Sequence, residues 1–159
     1  MSTQEHGTVA RGIRLGIVFT ADRLPEELPA FAVAAEAAGY DELWVWEDCF
    51  YGGGISASAV ALAATRSIRV GLGIMPAVFR NPVATAMEAA TLARVFPGRF
   101  IAGLGHGQPG WMRQIGALPP KPVRALEETT IAVRRLLHGE RFSMHGEHVH
   151  LDDVALVQA

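Results

Sequence analysis

Short apolar runs alternate with longer, helix-compatible segments along most of the chain. Four of the runs have the length and composition of buried strands. The first, IRLGIVF, is apolar on both faces, as in a parallel strand covered on both sides. The predicted strands are residues 13–19, 42–47, 69–75 and 100–104. The predicted helices are residues 29–38, 55–64, 82–95 and 123–138.

The spacing of the four strands predicts the fold class. Their starts are 28, 27 and 31 residues apart, at Arg14, Glu42, Arg69 and Phe100. Repeated strand–helix units of this length form a parallel sheet with right-handed crossovers. Ligands of such sheets bind beyond the carboxyl ends of the strands. The loops after Phe19, Glu47, Met75 and Leu104 are therefore the predicted binding loops.

The two ends of the chain are interpreted differently. Residues 1–12 are polar and are predicted to be a flexible N-terminus. In the last predicted helix, Glu127 and Glu128 lie early, where acidic groups suit the positive end of the helix dipole. From Arg141 onward the sequence alternates weakly, with Gly146 between two short runs, and predicts a small hairpin.

Composition and charge narrow the class of protein. Half of the 159 residues are hydrophobic and the net charge is −2, so nothing favours binding to nucleic acid or to an anionic membrane. The single cysteine, Cys49, excludes an intramolecular disulfide framework and fits a reducing compartment. The apolar run 55–64 is too short to span a bilayer. We expect a soluble, cytoplasmic protein.

A glycine motif follows the fourth strand. Residues 105–110 match the dinucleotide pattern G-x-G-x-x-G. That pattern belongs to a first strand, opens into a long helix and has an acid about 20 residues further on. Here Pro109 interrupts the motif, and Thr129 and Thr130 occupy the position of the acid. A loop whose amides face a phosphate or another polar ligand is the better interpretation.

Two further strand ends carry candidate chemistry. Gly73–Ile74 is either a packing site or a bulge that presents backbone to a flat ligand. Asp48 could hydrogen-bond a ligand or exchange a proton, or it could cap the glycine-rich turn that follows it. Both alternatives stay open. Cys49 has no base nearby in sequence, so a nucleophilic role is not predicted.

Aromatic and histidine residues give weaker signals. Trp44, Trp46 and Trp111 could line a ligand ring, although large aromatics near strand ends usually belong to the core. The histidines of the predicted hairpin match no defined zinc spacing, so no metal site is predicted. These histidines are His145, His148 and His150.

Three segments together resemble a known family. They are DCFYGGG after the second strand, VGLGIMPAVFRNP, and LARVFPGRFIAGLGHGQPGW. Their order resembles the bacterial luciferase-like flavin-dependent oxidoreductases, above all the branch that uses the deazaflavin coenzyme F420, such as the methylenetetrahydromethanopterin reductases. The resemblance runs from Arg14 to the end of the chain, and its most specific part lies between Arg80 and Gly105.

The resemblance implies a fold and a set of site residues. The family folds as a (β/α)8 barrel, so residues 13–159 are expected to form its N-terminal half, an α/β partial TIM barrel of four β/α units plus the hairpin. Gly73–Ile74 would be the bulge that holds the coenzyme ring, with a cis peptide bond. Asp48 falls where the deazaflavin branch has an Asp-His pair, with Cys49 in place of the histidine. His106, Gly107 and Gln108 fall where the fourth loop meets cofactor or substrate, although glutamine could not replace the general acid that some relatives carry there.

The resemblance also implies an activity. Hydride would pass between F420, the first choice, or FMN and a small organic substrate, with Asp48 and His106 as catalytic residues. The alternatives are an FMN-dependent monooxygenase of the same fold and a truncated, non-catalytic flavin-binding or interaction protein. Four strands would leave two open sheet edges, and the family's phosphate site draws on the second half. We therefore expect a homo-oligomer, or completion by a second half-barrel.

Overall fold

Four parallel strands form one sheet in the computed structural model, which describes residues 13–159. The predicted flexible N-terminus, residues 1–12, lies outside the described residues. The strands are β1 (Gly16–Val18), β2 (Glu42–Val45), β3 (Arg69–Pro76) and β4 (Phe100–Gly105). The helices are α1 (Leu28–Ala37), α2 (Gly54–Ala64), α3 (Pro82–Val95), α4 (Pro109–Gln114) and α5 (Pro122–Leu137). A separate antiparallel hairpin consists of β5 (Phe142–His145) and β6 (His150–Val154).

The order of the strands confirms the predicted fold class. Each strand pairs in parallel with the next in sequence, giving the order β1-β2-β3-β4. The dinucleotide-binding fold places its first strand in the middle of the sheet, in the order 3-2-1-4. The sequential order therefore excludes that fold for this sheet and is the order found along the wall of a barrel.

One face of the sheet packs against the helices. Leu43 and Val45 of β2 alternate with residues on the other face, and so do Val70 and Leu72 of β3. These four side chains are buried and form one apolar cluster with residues of α1 and α2, such as Ala32. The period of two along a strand decides which residues enter this layer.

The opposite face of the sheet is open, and Trp44 lies across it. A Cβ atom at Gly16 would lie 3.2 Å from the indole, and one at Gly73 would lie 3.1 Å from it. At Gly71 a Cβ would overlap the ring. Trp44 is therefore half-buried on the open face and does not belong to the helix-side core, which corrects the core interpretation for this residue. Its indole Nε1 donates to Glu42 Oε2 at 3.1 Å.

Several element boundaries differ from the prediction. Strand β1 has three residues because it pairs on one side only within the described part of the chain. A 3₁₀ turn, Pro25–Glu27, precedes α1, which begins at Leu28 with Pro29 in its first turn. Helix α4 was not predicted: Pro109, interpreted as a break, is its first residue, a position where a missing N–H costs nothing.

The predicted hairpin is confirmed, and a buried carboxylate attaches it to α5. Glu128 is 1% exposed and accepts hydrogen bonds from the amides of Glu147, His148 and Val149 at 3.0, 2.9 and 3.0 Å. Burial acts to raise the pKa of Glu128, but these amides and the Arg124 guanidinium outweigh it and lower the pKa to about 2. Glu128 therefore holds the hairpin, a role that its position early in a helix did not predict.

Glu36 makes the same kind of attachment at the amino edge of the sheet. Its carboxylate accepts from the amides of Ser67 at 2.6 Å and Ile68 at 2.9 Å, just before β3. Hydrogen bonds from Ile68 and Ser67 are the largest causes that lower the pKa of Glu36 to about 2. The loop between α2 and β3 thus depends on an ionised carboxylate.

Within residues 13–159 no helix is long and apolar enough to cross a membrane. The cytoplasmic location stays a prediction.

Acid should destabilise the fold through Glu36 and Glu128. Their ordinary pKa of 4.5 in the unfolded chain falls to about 2 in the folded one. Stability from these groups is therefore complete above about pH 4.5 and is lost as the pH falls towards 2. Urea unfolding at about pH 7 and about pH 3 should show a lower free energy of unfolding at the acid pH.

The Glu128→Gln variant separates this effect from general acid unfolding. It should lose about 2 kcal/mol at neutral pH, since a neutral amide replaces a charged acceptor of three amides. Its further loss on acidification should be smaller than that of the wild type. An unchanged pH dependence in the variant would contradict the assignment.

Candidate active site

An open cleft lies at the carboxyl edge of the sheet, where the predicted binding loops meet. It has a volume of about 460 Å³. It is lined by Glu47, Asp48, Ile74, Pro76, Gly105, His106, Gly107, Gln108, Pro109 and Trp111. Five of the six predicted site residues belong to this lining, and the sixth, Gly73, directly precedes Ile74. The structure therefore brings the predicted residues together at one place.

The floor of the cleft is an apolar ledge made by Ile74. The register between β3 and β4 shifts between Leu72 and Met75, which confirms the predicted bulge, and the Gly73–Ile74 peptide bond is cis, as predicted. A Cβ atom at Gly105 would lie 2.8 Å from Ile74 Cδ1. Ile74 can cover β4 because that strand has glycine beneath it, and it remains 36% exposed.

Asp48 stands at the rim of the cleft with a free carboxylate. The turn after it is closed by the backbone, where the Tyr51 amide donates to the Asp48 carbonyl at 3.2 Å. Within residues 13–159 the Asp48 side chain makes no hydrogen bond. Of the two alternatives left open by the sequence, capping of the turn by this side chain is not observed, so the carboxylate is available to a ligand.

The loop after β4 supplies the opposite rim. His106 is exposed, and its Nδ1 lies 2.6 Å from the Gly107 carbonyl oxygen. Because a carbonyl oxygen only accepts, Nδ1 carries the proton and Nε2 of the neutral ring is left as an acceptor. Gly107 has φ +74°, in the left-handed region that favours glycine.

Gln108 has a structural task beside its predicted ligand contact. Its Oε1 accepts from the amides of Gly110 at 2.6 Å and Trp111 at 3.3 Å and so caps α4. The side-chain oxygen is thus occupied, and the side chain can offer a ligand only the N–H groups of its amide. Trp111, which follows in α4, lines the cleft and is not confined to the core.

A buried ion pair supports the cleft from behind. Glu47 is 5% exposed and accepts from Arg80 twice, at 2.6 Å from Nη1 and 2.5 Å from Nη2. It also accepts from the Gly54 amide at 3.0 Å, and its own amide donates to the Ile74 carbonyl at 3.3 Å. The hydrogen bond to Glu47 is the largest cause that raises the pKa of Arg80.

Sequence reasoning missed this pair. A signal was present, since Glu47 is a charged residue at the end of an apolar strand, and a glutamate is rarely buried without a partner. Arg80 belongs to the Arg80–Asn81–Pro82 segment on which the family resemblance partly rests. Asn81 caps α3 by accepting from the Val83 amide at 2.9 Å, next to the predicted start of this helix at residue 82.

Two weaker candidates can now be placed. Cys49 is buried, and burial followed by the charges of Asp48 and Glu47 raises the pKa of its thiol, so the thiol is protonated at neutral pH. Within the described residues no group of three or more His, Cys, Asp or Glu side chains could hold a metal ion, and His148 is fixed through its amide to Glu128.

Comparison with known proteins identifies the family. The family model of luciferase-like monooxygenases matches residues 13–159. The chain belongs to this family. It is 27% identical over 135 residues to the 5,10-methylenetetrahydromethanopterin reductase of Archaeoglobus fulgidus. The matched region covers 85% of this chain and 41% of the reductase. The chain thus spans less than half the length of this curated relative.

Solved structures of luciferase-like proteins share the fold. The F420-dependent tetrahydromethanopterin reductase of Methanopyrus kandleri superposes with a TM-score of 0.81 at 23% identity, over 92% of this chain and 46% of the reductase. The oxygenating constituent of 3,6-diketocamphane monooxygenase from Pseudomonas putida, in complex with FMN, superposes with a TM-score of 0.78 at 18% identity. The superposition covers 87% of this chain and 42% of the monooxygenase chain. The four β/α units therefore correspond to about half of a TIM-barrel chain of this family.

The glycines under Ile74 provide a test of the ledge. At Gly103 a new Cβ would lie 2.7 Å from the Leu72 carbonyl oxygen, which is backbone and cannot move freely. At Gly105 the obstacle is the flexible end of Ile74. We expect Gly103→Ala to destabilise the protein by about 1–3 kcal/mol and Gly105→Ala by clearly less, measured by urea unfolding. Equal losses would show that Ile74 is not packed on β4 in this way.

Proposed function

We propose that this chain forms the ring-binding half of a flavin- or deazaflavin-dependent oxidoreductase. In this proposal hydride passes between the coenzyme, F420 as first choice and FMN as second, and a small organic substrate. The observation that carries the proposal is the cleft itself, in which a bare apolar ledge lies between two polar rims.

The residues of the cleft fit a planar ring. Ile74 offers an apolar surface that is 36% exposed and that is packed on Gly105 of β4. In the described part of the chain no lysine or arginine lines the cleft, and the nearby Arg80 is bound to Glu47. The lining therefore suits the ring and not the phosphate of such a coenzyme.

The chemistry divides between the coenzyme and the protein. When bound, the ring supplies hydride donation or acceptance. The ledge of Ile74 would support one face of the ring and keep water from it, so that a substrate reaches the other face only. Asp48 at one rim can accept a hydrogen bond or a proton, and His106 Nε2 at the other can accept the proton of a substrate hydroxyl.

Two observations bear on the choice of coenzyme. Asp48 stands where, by resemblance, deazaflavin enzymes carry an acidic residue, and it has the free carboxylate that this role requires. Cys49 stands where the same enzymes carry histidine, and its buried, protonated thiol is a poor replacement. This second observation favours the alternative, an FMN-dependent monooxygenase.

The open face and the unpaired outer edges of the sheet leave room for a second set of strands, which we call the covering half. Within the described residues neither β1 nor β4 is paired on its outer edge. We propose that a second four-stranded half, from another copy of this chain or from further polypeptide, pairs with these edges and supplies the remaining wall of the site. The same half would supply the cations for a coenzyme phosphate.

Coenzyme titration tests the proposed function. Deazaflavin and FMN are each titrated into the purified protein while ring fluorescence and thermal stability are followed. We expect quenching and a raised melting temperature with one coenzyme, and affinity about tenfold weaker in Asp48→Asn. Asp152→Asn, on the exposed hairpin, is the matched control and should bind as the wild type does. Binding without turnover of any alcohol or reduced-pterin substrate would favour the non-catalytic alternative, and no binding of either coenzyme would overturn the proposal.

The oligomeric state of the chain tests whether a second copy provides the covering half. Val18 lies on the open face beside Trp44 and is 43% exposed, whereas Val33 on α1 is similarly exposed on the outside. If copies of the chain cover each other, sedimentation should show a dimer or larger species, and Val18→Asp should shift it towards monomer while Val33→Asp should not. A monomer at all concentrations would exclude completion by a second copy.

A further inference from the structure

We infer that the Glu47–Arg80 ion pair positions the two walls of the cleft, the Ile74 ledge and the Asp48 carboxylate. Arg80 does not line the cleft, so it acts through Glu47 and is a positioning residue. The consequence for coenzyme binding rests on the proposed function, but the positioning itself is a property of this chain and can be measured without a coenzyme.

The contacts of Glu47 join three separate segments. Its carboxylate holds Arg80 from the loop after β3 and the Gly54 amide at the start of α2. Its amide holds the carbonyl of Ile74, on the bulge of β3. Because Asp48 is the next residue in the chain, any displacement of Glu47 moves both walls of the cleft.

The surroundings leave Glu47 little freedom. A Cβ atom at Gly54 would lie 2.9 Å from Glu47 Cβ and 2.5 Å from Leu72 Cδ1, so α2 begins directly against this side chain. Arg80 is held on its far side as well, by Glu88 Oε2 at 3.3 Å from Nε. A planar guanidinium bound through two parallel hydrogen bonds fixes direction as well as distance.

The energetics favour a positioning role over simple stabilisation. Taking the Glu47 carboxylate out of water is costly, and well-packed apolar residues often stabilise a fold as well as a buried ion pair does. Apolar contacts do not fix the orientation of a side chain as hydrogen bonds do. Here the hydrogen bonds of Glu47 fix the positions of Asp48 and Ile74. By contrast, no side-chain hydrogen bond within the described residues holds Asp48 itself.

The single cysteine gives a local readout. Cys49 lies two residues from Glu47 and is buried, so its reaction with a thiol reagent such as DTNB reports opening of this segment. The Arg80→Gln substitution changes the reaction rate of the Cys49 thiol in two opposite ways. Loss of the positive charge leaves Glu47 unbalanced, which raises the thiol pKa further and slows the reaction. Loss of positioning opens the segment and accelerates it.

We expect Arg80→Gln to react about tenfold faster than the wild type, since a lost charge-assisted hydrogen bond lowers the cost of local opening by about that factor. Arg124→Gln is the matched control, because it removes the guanidinium that pairs with another buried glutamate, Glu128 at the hairpin. In the wild type, Arg124 Nε lies 2.9 Å from Glu128 Oε1. This control substitution should lower thermal stability and leave the rate at Cys49 unchanged. Arg80→Lys, which keeps the charge but not the two parallel bonds, should fall between wild type and Arg80→Gln.

Equal rates in wild type and folded Arg80→Gln, or equal acceleration in Arg80→Gln and Arg124→Gln, would overturn the inference. If far-ultraviolet circular dichroism shows that Arg80→Gln does not fold, the thiol rates of Arg80→Lys and Arg124→Lys are compared instead. Equal rates in these two variants would then overturn the inference. Coenzyme affinity is measured on the same variants, with a selective loss expected in Arg80→Gln. If the wild type binds neither F420 nor FMN, the proposed function fails, whereas the thiol rates still decide the inference.

Discussion

The buried carboxylate of Glu47 is the contact on which the carboxyl edge of the sheet depends. Its oxygens accept from Arg80, in the loop after β3, and from the Gly54 amide at the start of α2, so one side chain joins two segments of this edge. Glu36 at the amino edge and Glu128 at the hairpin act in the same way, each accepting three backbone amides of a distant segment. A carboxylate suits this task because its two oxygens accept several hydrogen bonds and charge strengthens each one.

Glycine has the complementary role on the open face. Gly16, Gly71 and Gly73 leave room for Trp44, and Gly105 leaves room for Ile74. Trp44 of β2 thereby covers the glycine positions of β1 and β3, and Ile74 of β3 covers that of β4. The two packing arrangements meet at the bulge, where Gly73 lies against Trp44 and directly precedes Ile74.

Periodicity and spacing were sufficient to predict the parallel sheet, most of its helices and the edge where the cleft lies, because these follow from local patterns. The residues alone left the bulge at Gly73–Ile74 and the role of Asp48 as open alternatives, and the family resemblance added the cis peptide bond and the candidate His106. The position of Glu47 at the end of an apolar strand indicated burial, but its partner Arg80 is 33 residues away and no local pattern pairs the two. The hairpin amides that bind Glu128 are likewise 19 to 21 residues from it. Pro109 was misjudged because proline both breaks a helix and begins one.

The charge distribution of the cleft separates two parts of ligand recognition. In the part of the chain that the structure describes, the lining has no lysine or arginine, so under the proposed function it would select ligands by shape and by hydrogen bonding at Asp48 and His106. Long-range attraction of an anion requires cations, and the guanidinium of Arg80 is paired with Glu47. Under the proposed function, the affinity of this half for a charged coenzyme would therefore be set by how well the ring fits the ledge, so the positions of Ile74 and Asp48 would matter more than any single electrostatic contact.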